Sequence, residues 1–287
     1  MAAETYWSKA LQRSEEALSV SALVPLSTEL EHIAGESGIA YELRHLTGVP
    51  PRHLRASGPK PNPFRPWNNE LQVSLVRNRH VLILNKYPVQ IGHMLLITRD
   101  WAPQAGWLSL EDWQSVVDVD KDTSGLWFFN SGPAAGASQP HRHLQLLPRH
   151  EHEQLCPREA WFDAGGTTSA PRFLNDRDAQ LRHHCFIQPL PGRLPEPSEL
   201  CQHYEQLCER AGLGSPADSE KPSQPYNLLL SRRWLALIRR RCEGVKGFSV
   251  NALGFAGYLL STEASDRSWL KRVGPESLLR DVVPVVA

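Results

Sequence analysis

Two histidines one residue apart, His141 and His143, are followed at the same interval by Gln145, and a loop of small residues precedes them. In an extended strand, residues i, i+2 and i+4 share a face. The spacing therefore sends His141, His143 and Gln145 to one side and Arg142, Leu144 and Leu146 to the other. The loop reads N-S-G-P-A-A-G-A-S-Q-P from Asn130 to Pro140. At Gly132 and Gly136 no side chain keeps backbone N–H groups away from an anion, and Ser138 can add a hydroxyl donor. Phosphate is the natural guest of such a loop.

This combination suits displacement at phosphorus. An unprotonated imidazole nitrogen is a nucleophile near neutral pH, and the phosphoramidate it forms is labile enough to pass its group on. The nonbridging oxygens need donors more than bases. The backbone of Asn130, Ser131, Gly132, Gly136 and Ala137, the Ser138 hydroxyl and the Gln145 amide are the expected donors. An H-x-H pair alone serves equally well as metal ligands or as polar residues at a sheet edge. No third Cys, His, Asp or Glu stands at ligand spacing within this motif, so no metal is expected on the protein. His150 and His152 read as solvated.

Strands and helices must hold these groups in place. Residues 4–20 carry Trp7, Ala10, Leu11 and Leu18 on one helical stripe, broken by Ser14, which predicts an amphipathic helix. Six prolines between Gly48 and Trp67 predict an extended arm. The apolar runs 71–76, 80–85 and 93–99, separated by turn-forming residues, read as three antiparallel strands. Ser109 to Asp112 has the capping-box pattern and opens a helix. GLWFFN (125–130) and HRHLQLLP (141–148) read as further strands. The glycines and prolines of 158–198 predict a loop-rich linker between two halves, 1–157 and 158–287.

In the second half, residues 198–211 follow a helical stripe that puts Cys201 and Cys208 in the core. YNLLLS and WLALIRR read as strands, and SVNALGFAGYLLS as a strand turning into a helix at its glycines. Arg239, Arg240 and Arg241 suit a solvated strand end at least as well as a polyphosphate clamp. Hydrophobic strands leading to a glycine turn thus occur in both halves, and the second lacks H-x-H. If the echo is a true repeat, the second half is a duplicate without the chemistry; chance similarity of hydrophobic hairpins explains it equally well.

Composition narrows the class. The chain has 287 residues, with 31 basic and 31 acidic side chains. Such a balance provides no global field for nucleic acid or an anionic membrane, so an anionic ligand must be held locally. No stretch approaches the roughly 20 apolar residues that span a bilayer, and the first residues lack the apolar segment of a secretory signal. A cytoplasmic enzyme is expected. Five cysteines without C-x-x-C spacing argue against a disulfide framework or zinc ribbon.

On KPNPF (60–64), NKYPVQIGHMLLIT (85–98), FFNSGPAAGASQPHRHLQLLP (128–148), YNLLLSRRW and VNALGFAG, the sequence resembles the histidine triad superfamily. It is closest to the ATP adenylyltransferase branch, the diadenosine tetraphosphate phosphorylases. H-x-H-x-Q with Ser-Gln-Pro ahead of it separates this branch and the hexose-1-phosphate uridylyltransferases from triad hydrolases, which carry a third histidine. The resemblance implies an α+β fold with an antiparallel sheet and flanking helices, built of two such halves of which the first is catalytic. It implies that His143 is the nucleophile, that His141 holds and polarises it, and that Gln145 binds phosphoryl oxygens. By position it adds Lys60 for polyphosphate, Asn85 beside the adenosine, and Asn130 and Ser138 on the nucleophile and phosphate sides; His93 matches more loosely.

The implied reaction is diadenosine tetraphosphate plus phosphate to ATP plus ADP. A divalent cation such as magnesium would accompany the nucleotide, without an organic cofactor. The segment from Asp112 to Gly125 is short for the long helix such relatives carry, and the paired cysteines of a structural zinc are missing. Two rivals stand beside this reading: the same scaffold with water or another acceptor, and a noncatalytic sensor of dinucleoside polyphosphates.

Overall fold

The computed structural model describes residues 5–36, 38–48, 62–150, 152–165 and 176–285. Most of the proline-dense arm, with Lys60, lies outside the described residues. In chain order the first half holds α1 (Tyr6–Ser19), β1 (Thr28–Ala34), β2 (Ala40–Leu46), β3 (Gln72–Val76), β4 (His80–Leu84), β5 (Met94–Thr98), α2 (Leu110–Asp120), β6 (Gly125–Asn130) and β7 (His143–Pro148). Then follow α3 (Glu159–Gly165), α4 (Asp176–His183), β8 (Cys185–Pro189), α5 (Pro197–Arg210), β9 (Tyr226–Leu230), β10 (Trp234–Arg239), β11 (Gly244–Val245), β12 (Phe248–Ser249), α6 (Ala252–Ala256), β13 (Tyr258–Ser261), α7 (Arg267–Val273) and α8 (Pro275–Asp281).

Among the described residues, eight strands form one sheet in the order β3-β4-β5-β7-β6-β9-β10-β8, every neighbouring pair antiparallel. β6 of the first half pairs with β9 of the second, from Trp127 opposite Leu230 to Asn130 opposite Asn227. The two halves therefore share one continuous ladder. A smaller sheet, β1-β2-β13, repeats the exchange, with β13 parallel to β2. The expected α+β architecture is present.

The sheet is covered on both faces, which is why its central strands are apolar at nearly every position. Along β6, Trp127 and Phe129 enter the core that also takes Ala10 of α1, Trp113 of α2 and Tyr204 of α5. Leu126 and Phe128 enter the other, with Trp161 of α3, Phe255 of α6 and Leu278 of α8. The Ser109 capping box forms as expected and starts α2, a helix of 11 residues. No described helix is long and apolar enough to cross a membrane.

Several expectations need correction. Helix α1 buries Ala10, Ser14 and Ala17, whereas Leu11 and Leu18 are exposed. The Ser14 hydroxyl donates to the Ala10 carbonyl at 2.7 Å, so the residue that broke the apolar stripe is satisfied within it. The linker read over 158–198 contains α3, α4 and the edge strand β8; Trp161 and Phe162 supply core there, and Pro189 is tolerated because it ends a strand at the sheet edge. In 249–261 the helix α6 stops at Gly257, whose φ of 104° caps its C-terminus, and β13 follows it.

Candidate active site

Strand β7 begins at His143, opposite Ile97 of β5, and pairs with β6 only as far as Phe128 opposite Gln145. His141 lies just before it, bridged to Pro103. Phe64 meets both imidazoles edge-on, with centroids 5.7 Å from His141 and 5.4 Å from His143, so the two rings lie on one side as the spacing requires.

The two histidines have different tasks. His143 Nδ1 donates to the His141 carbonyl at 2.8 Å. That bond puts the proton on Nδ1 and leaves the lone pair on Nε2, which bonds nothing among the described residues. Burial, above all, lowers the His143 pKa to about 4, so the ring is neutral at physiological pH. His141 has both nitrogens engaged: Nδ1 accepts from Asn62 Nδ2 at 3.0 Å, and Nε2 donates to the Thr98 carbonyl at 2.8 Å. It acts on His143 through its backbone carbonyl.

Gln145 is oriented by a chain of bonds. Asn85 Nδ2 donates to His93 Nδ1 at 3.1 Å, and His93 Nε2 donates to Gln145 Oε1 at 3.0 Å. With its oxygen occupied, the Gln145 carboxamide presents its N–H groups to an acceptor. Burial lowers His93 to about 4, so it too is neutral. Asn85 thus serves by aligning His93. The loose sequence match at His93 understated a residue that the fold places beside His143.

The glycine loop differs from expectation. The N–H groups of Gly132, Ala135, Gly136 and Ala137 donate to the carbonyls of Asn130, Gly132, Pro133 and Gly132 at 2.9–3.0 Å. The Ser131 N–H donates to the Tyr226 carbonyl at 3.0 Å, and the Ser131 hydroxyl accepts from the Tyr226 N–H at 2.7 Å. Ser131, Gly132, Gly136 and Ala137 therefore shape the loop and do not aim their amides at an anion. Ser138 and Gln139, next to His141, keep N–H groups that bond nothing among the described residues, and Ser138 is exposed. Gly136 has φ 85°, and a Cβ there would come within 2.8 Å of the Val250 carbonyl oxygen.

The second half holds this loop from behind. Asn130 Oδ1 accepts from Asn227 Nδ2 at 2.7 Å and from the Ala252 N–H at 2.9 Å. Arg240 donates to Asn227 Oδ1, to the carbonyl of Ala135 at 3.4 Å, and to those of Cys242 and Glu243 at 2.8 and 3.0 Å. Arg240 is 1% exposed, so the solvated strand end read from the arginine run fails for this residue, whereas Arg241 is exposed. Burial pulls its pKa down to about 10, so it remains a cation behind the loop. Exposed Arg65 adds positive charge beside His141. Asn227 carried no signal of a role in the sequence, and Arg240 stood out only as one of a basic run, because Asn130 and Ala135 lie 97 and 105 positions away.

Residues 1–162 match the Ap4A phosphorylase N-terminal domain, and residues 179–284 the ATP adenylyltransferase C-terminal domain. The chain is 29% identical to diadenosine 5',5'''-P1,P4-tetraphosphate phosphorylase 2 of Saccharomyces cerevisiae, over 77% of this chain and 74% of that protein. It is 28% identical to the Protein APA1 of the same yeast, over 70% and 67%. Among solved structures, yeast Ap4A phosphorylase Apa2 superposes with a TM-score of 0.73 at 23% identity, covering 98% of this chain and 93% of that one. Apa2 crystallised with Ap4A superposes with a TM-score of 0.71.

Proposed function

Because this chain belongs to the Ap4A phosphorylase family, we propose that it cleaves diadenosine tetraphosphate with phosphate, giving ATP and ADP by way of an adenylyl group carried on His143. The observation that carries the reading is the bond from His143 Nδ1 to the His141 carbonyl, which makes Nε2 a neutral, unshared nucleophile.

The steps follow from it. The Nε2 lone pair forms a bond to the α-phosphorus, the bond from that phosphorus to its bridging oxygen breaks, and the electron pair leaves with ATP. A phosphate oxygen then bonds the same phosphorus, the P–N bond breaks with its pair returning to Nε2, and ADP departs. As the imidazole gains charge during attack, the Nδ1–H bond to the carbonyl strengthens. Gln145, its oxygen held by His93, offers N–H groups to a nonbridging oxygen, and Ser138 and Gln139 offer theirs to the chain of phosphates. The buried charge of Arg240 favours the anion without touching it. Among the described residues no group of three or more His, Cys, Asp or Glu could hold a metal ion. A divalent cation would arrive on the polyphosphate oxygens and screen their charge.

The test is direct. Incubated with diadenosine tetraphosphate labelled at the α-phosphorus and without phosphate, the protein should acquire acid-labile label at position 143. Adding phosphate should release it as ADP; release as AMP alone would instead favour hydrolysis. His143→Ala should lose nearly all turnover, and His143→Gly should recover part of it with added imidazole. A protein that binds the nucleotide and never becomes labelled would sink the covalent route.

A further inference from the structure

We propose that Gln104 is a positioning residue for His143: its side-chain amide takes the place of a peptide group at the fork where β6 and β7 part, and so fixes the backbone from which the nucleophile projects. The inference rests on the reading of His143 as nucleophile.

The β6–β7 ladder runs from Gly125 opposite Pro148 to Phe128 opposite Gln145. Continued in that register, Asn130 would lie opposite His143 and the two would share hydrogen bonds. They do not pair. Gln104 Oε1 accepts from the His143 N–H at 2.8 Å, while Nε2 donates to the Asn130 carbonyl at 2.8 Å and to the His143 carbonyl at 3.2 Å. One amide therefore supplies the acceptor that β6 would have given His143 and the donor that β7 would have given Asn130.

Gln104 is itself fixed. Its backbone N–H donates to the Pro140 carbonyl at 2.8 Å, its neighbour Pro103 bridges to His141, and it is 2% exposed. The amide has both hydrogens and its oxygen committed to the two strand ends, so it has no alternative orientation that satisfies them. At the fork, N–H and C=O groups would otherwise be buried without partners. The consequence for chemistry is geometric. Once the His143 backbone is set, the Nδ1–H bond to the His141 carbonyl fixes the ring, and the Nε2 lone pair takes one direction. A displacement of about 1 Å at a reacting group can cost about a hundredfold in rate.

A purely structural role and a positioning role separate in the following experiment. Adenylylation of His143 is followed in single turnovers with labelled diadenosine tetraphosphate, without phosphate, for the wild type, Gln104→Leu and Gln104→Glu, with thermal melting measured alongside. Gln104→Leu should label about a hundredfold more slowly with KM for the dinucleotide little changed. Gln104→Glu can satisfy the fork only when protonated, accepting with one oxygen and donating with the other; ionised, it faces two carbonyls with no hydrogen. Its labelling rate should approach the wild type's at the acid end of the range and fall as pH rises, while the wild-type rate stays level.

The other groups around this amide do not generate that slope. Burial lowers both His141 and His143, and Arg142, which bonds the Pro103 carbonyl, keeps its partner Asp112 in all three proteins. Wild-type labelling by Gln104→Leu, or a Gln104→Glu profile that superimposes on the wild type's, would overturn the inference. If Gln104→Leu does not fold, the profile of Gln104→Glu decides alone. Should the wild type itself take no label at position 143, the reading of the nucleophile fails first, and the two failures are distinct.

Discussion

At the scale of single residues, the site works by settling which atom of each polar group is free. His143 gives its Nδ1 proton to a backbone carbonyl and Gln145 gives its oxygen to His93, so a nucleophilic nitrogen and an amide donor remain. Both imidazoles are neutral because burial lowers their pKa to about 4 from the ordinary 6.5. The unprotonated ring is the reactive one, so the labelling rate of His143 should be level down through pH 6.5 and fall only as pH approaches 4. Rapid-quench labelling across pH checks this; a fall centred near 6.5 would mean that the ring is solvated. The same shifts act on stability. The unfolded chain binds protons on these histidines below pH 6.5, and the folded chain does so only near 4, so stability should decline as pH drops through that window.

At the scale of elements, β7 is braced on the face away from Phe64. Arg142, the residue between the two histidines, donates to Asp112 Oδ2 at 3.0 Å, and His80 Nε2 lies 2.8 Å from Asp112 Oδ1. Burial by itself would raise the Asp112 pKa, yet the His80 bond and the Arg142 charge outweigh it and hold the carboxyl below its usual range. The same carboxylate accepts the Ser109 N–H at the start of α2, so one group ties helix to strand. Asp112→Ala leaves the buried Arg142 guanidinium without its counter-charge and should cost about 3–5 kcal/mol by urea denaturation. The pair Asp112→Ala and Arg142→Ala together should cost less than the sum of the two. Additive losses would mean that the two groups are not coupled. The capping box was legible in Ser109-Leu-Glu-Asp112 because it is local. The second partner of Asp112, 30 residues away, was not.

At the scale of the whole molecule, the half without an H-x-H motif completes the site of the half that has one. β9 covers the exposed edge of β6, Asn227 and the Ala252 N–H satisfy Asn130, and Arg240 holds the carbonyl of Ala135. Residues 1–157 produced alone should therefore aggregate, with β6 presenting an open edge, and should not become labelled. Residues 158–287 supplied by co-expression should restore a soluble complex and some labelling. Size-exclusion chromatography and the labelling assay check both; a monomeric, labelled fragment would show that the first half needs no partner. The strands β1, β2 and β13 belong to the same exchange. In β1 and β2 charged residues interrupt the apolar positions, so no apolar run marks these strands in the sequence.

What the sequence by itself determined are features written within a few residues: the shared face of His141, His143 and Gln145, the strands buried on both sides, the cap of α2 and the family. Periodicity and short motifs report which way a side chain points and what chemistry it can do, and those survive in one dimension. The tertiary structure alone decided that His143 is neutral with its Nε2 free, that the glycine loop spends its amides on itself, and that Gln104, Asn227 and Arg240 hold the His143 backbone and the loop. These depend on burial, on how the loop turns on itself, and on partners up to 105 positions apart, which only the folded sheet brings within hydrogen-bonding distance.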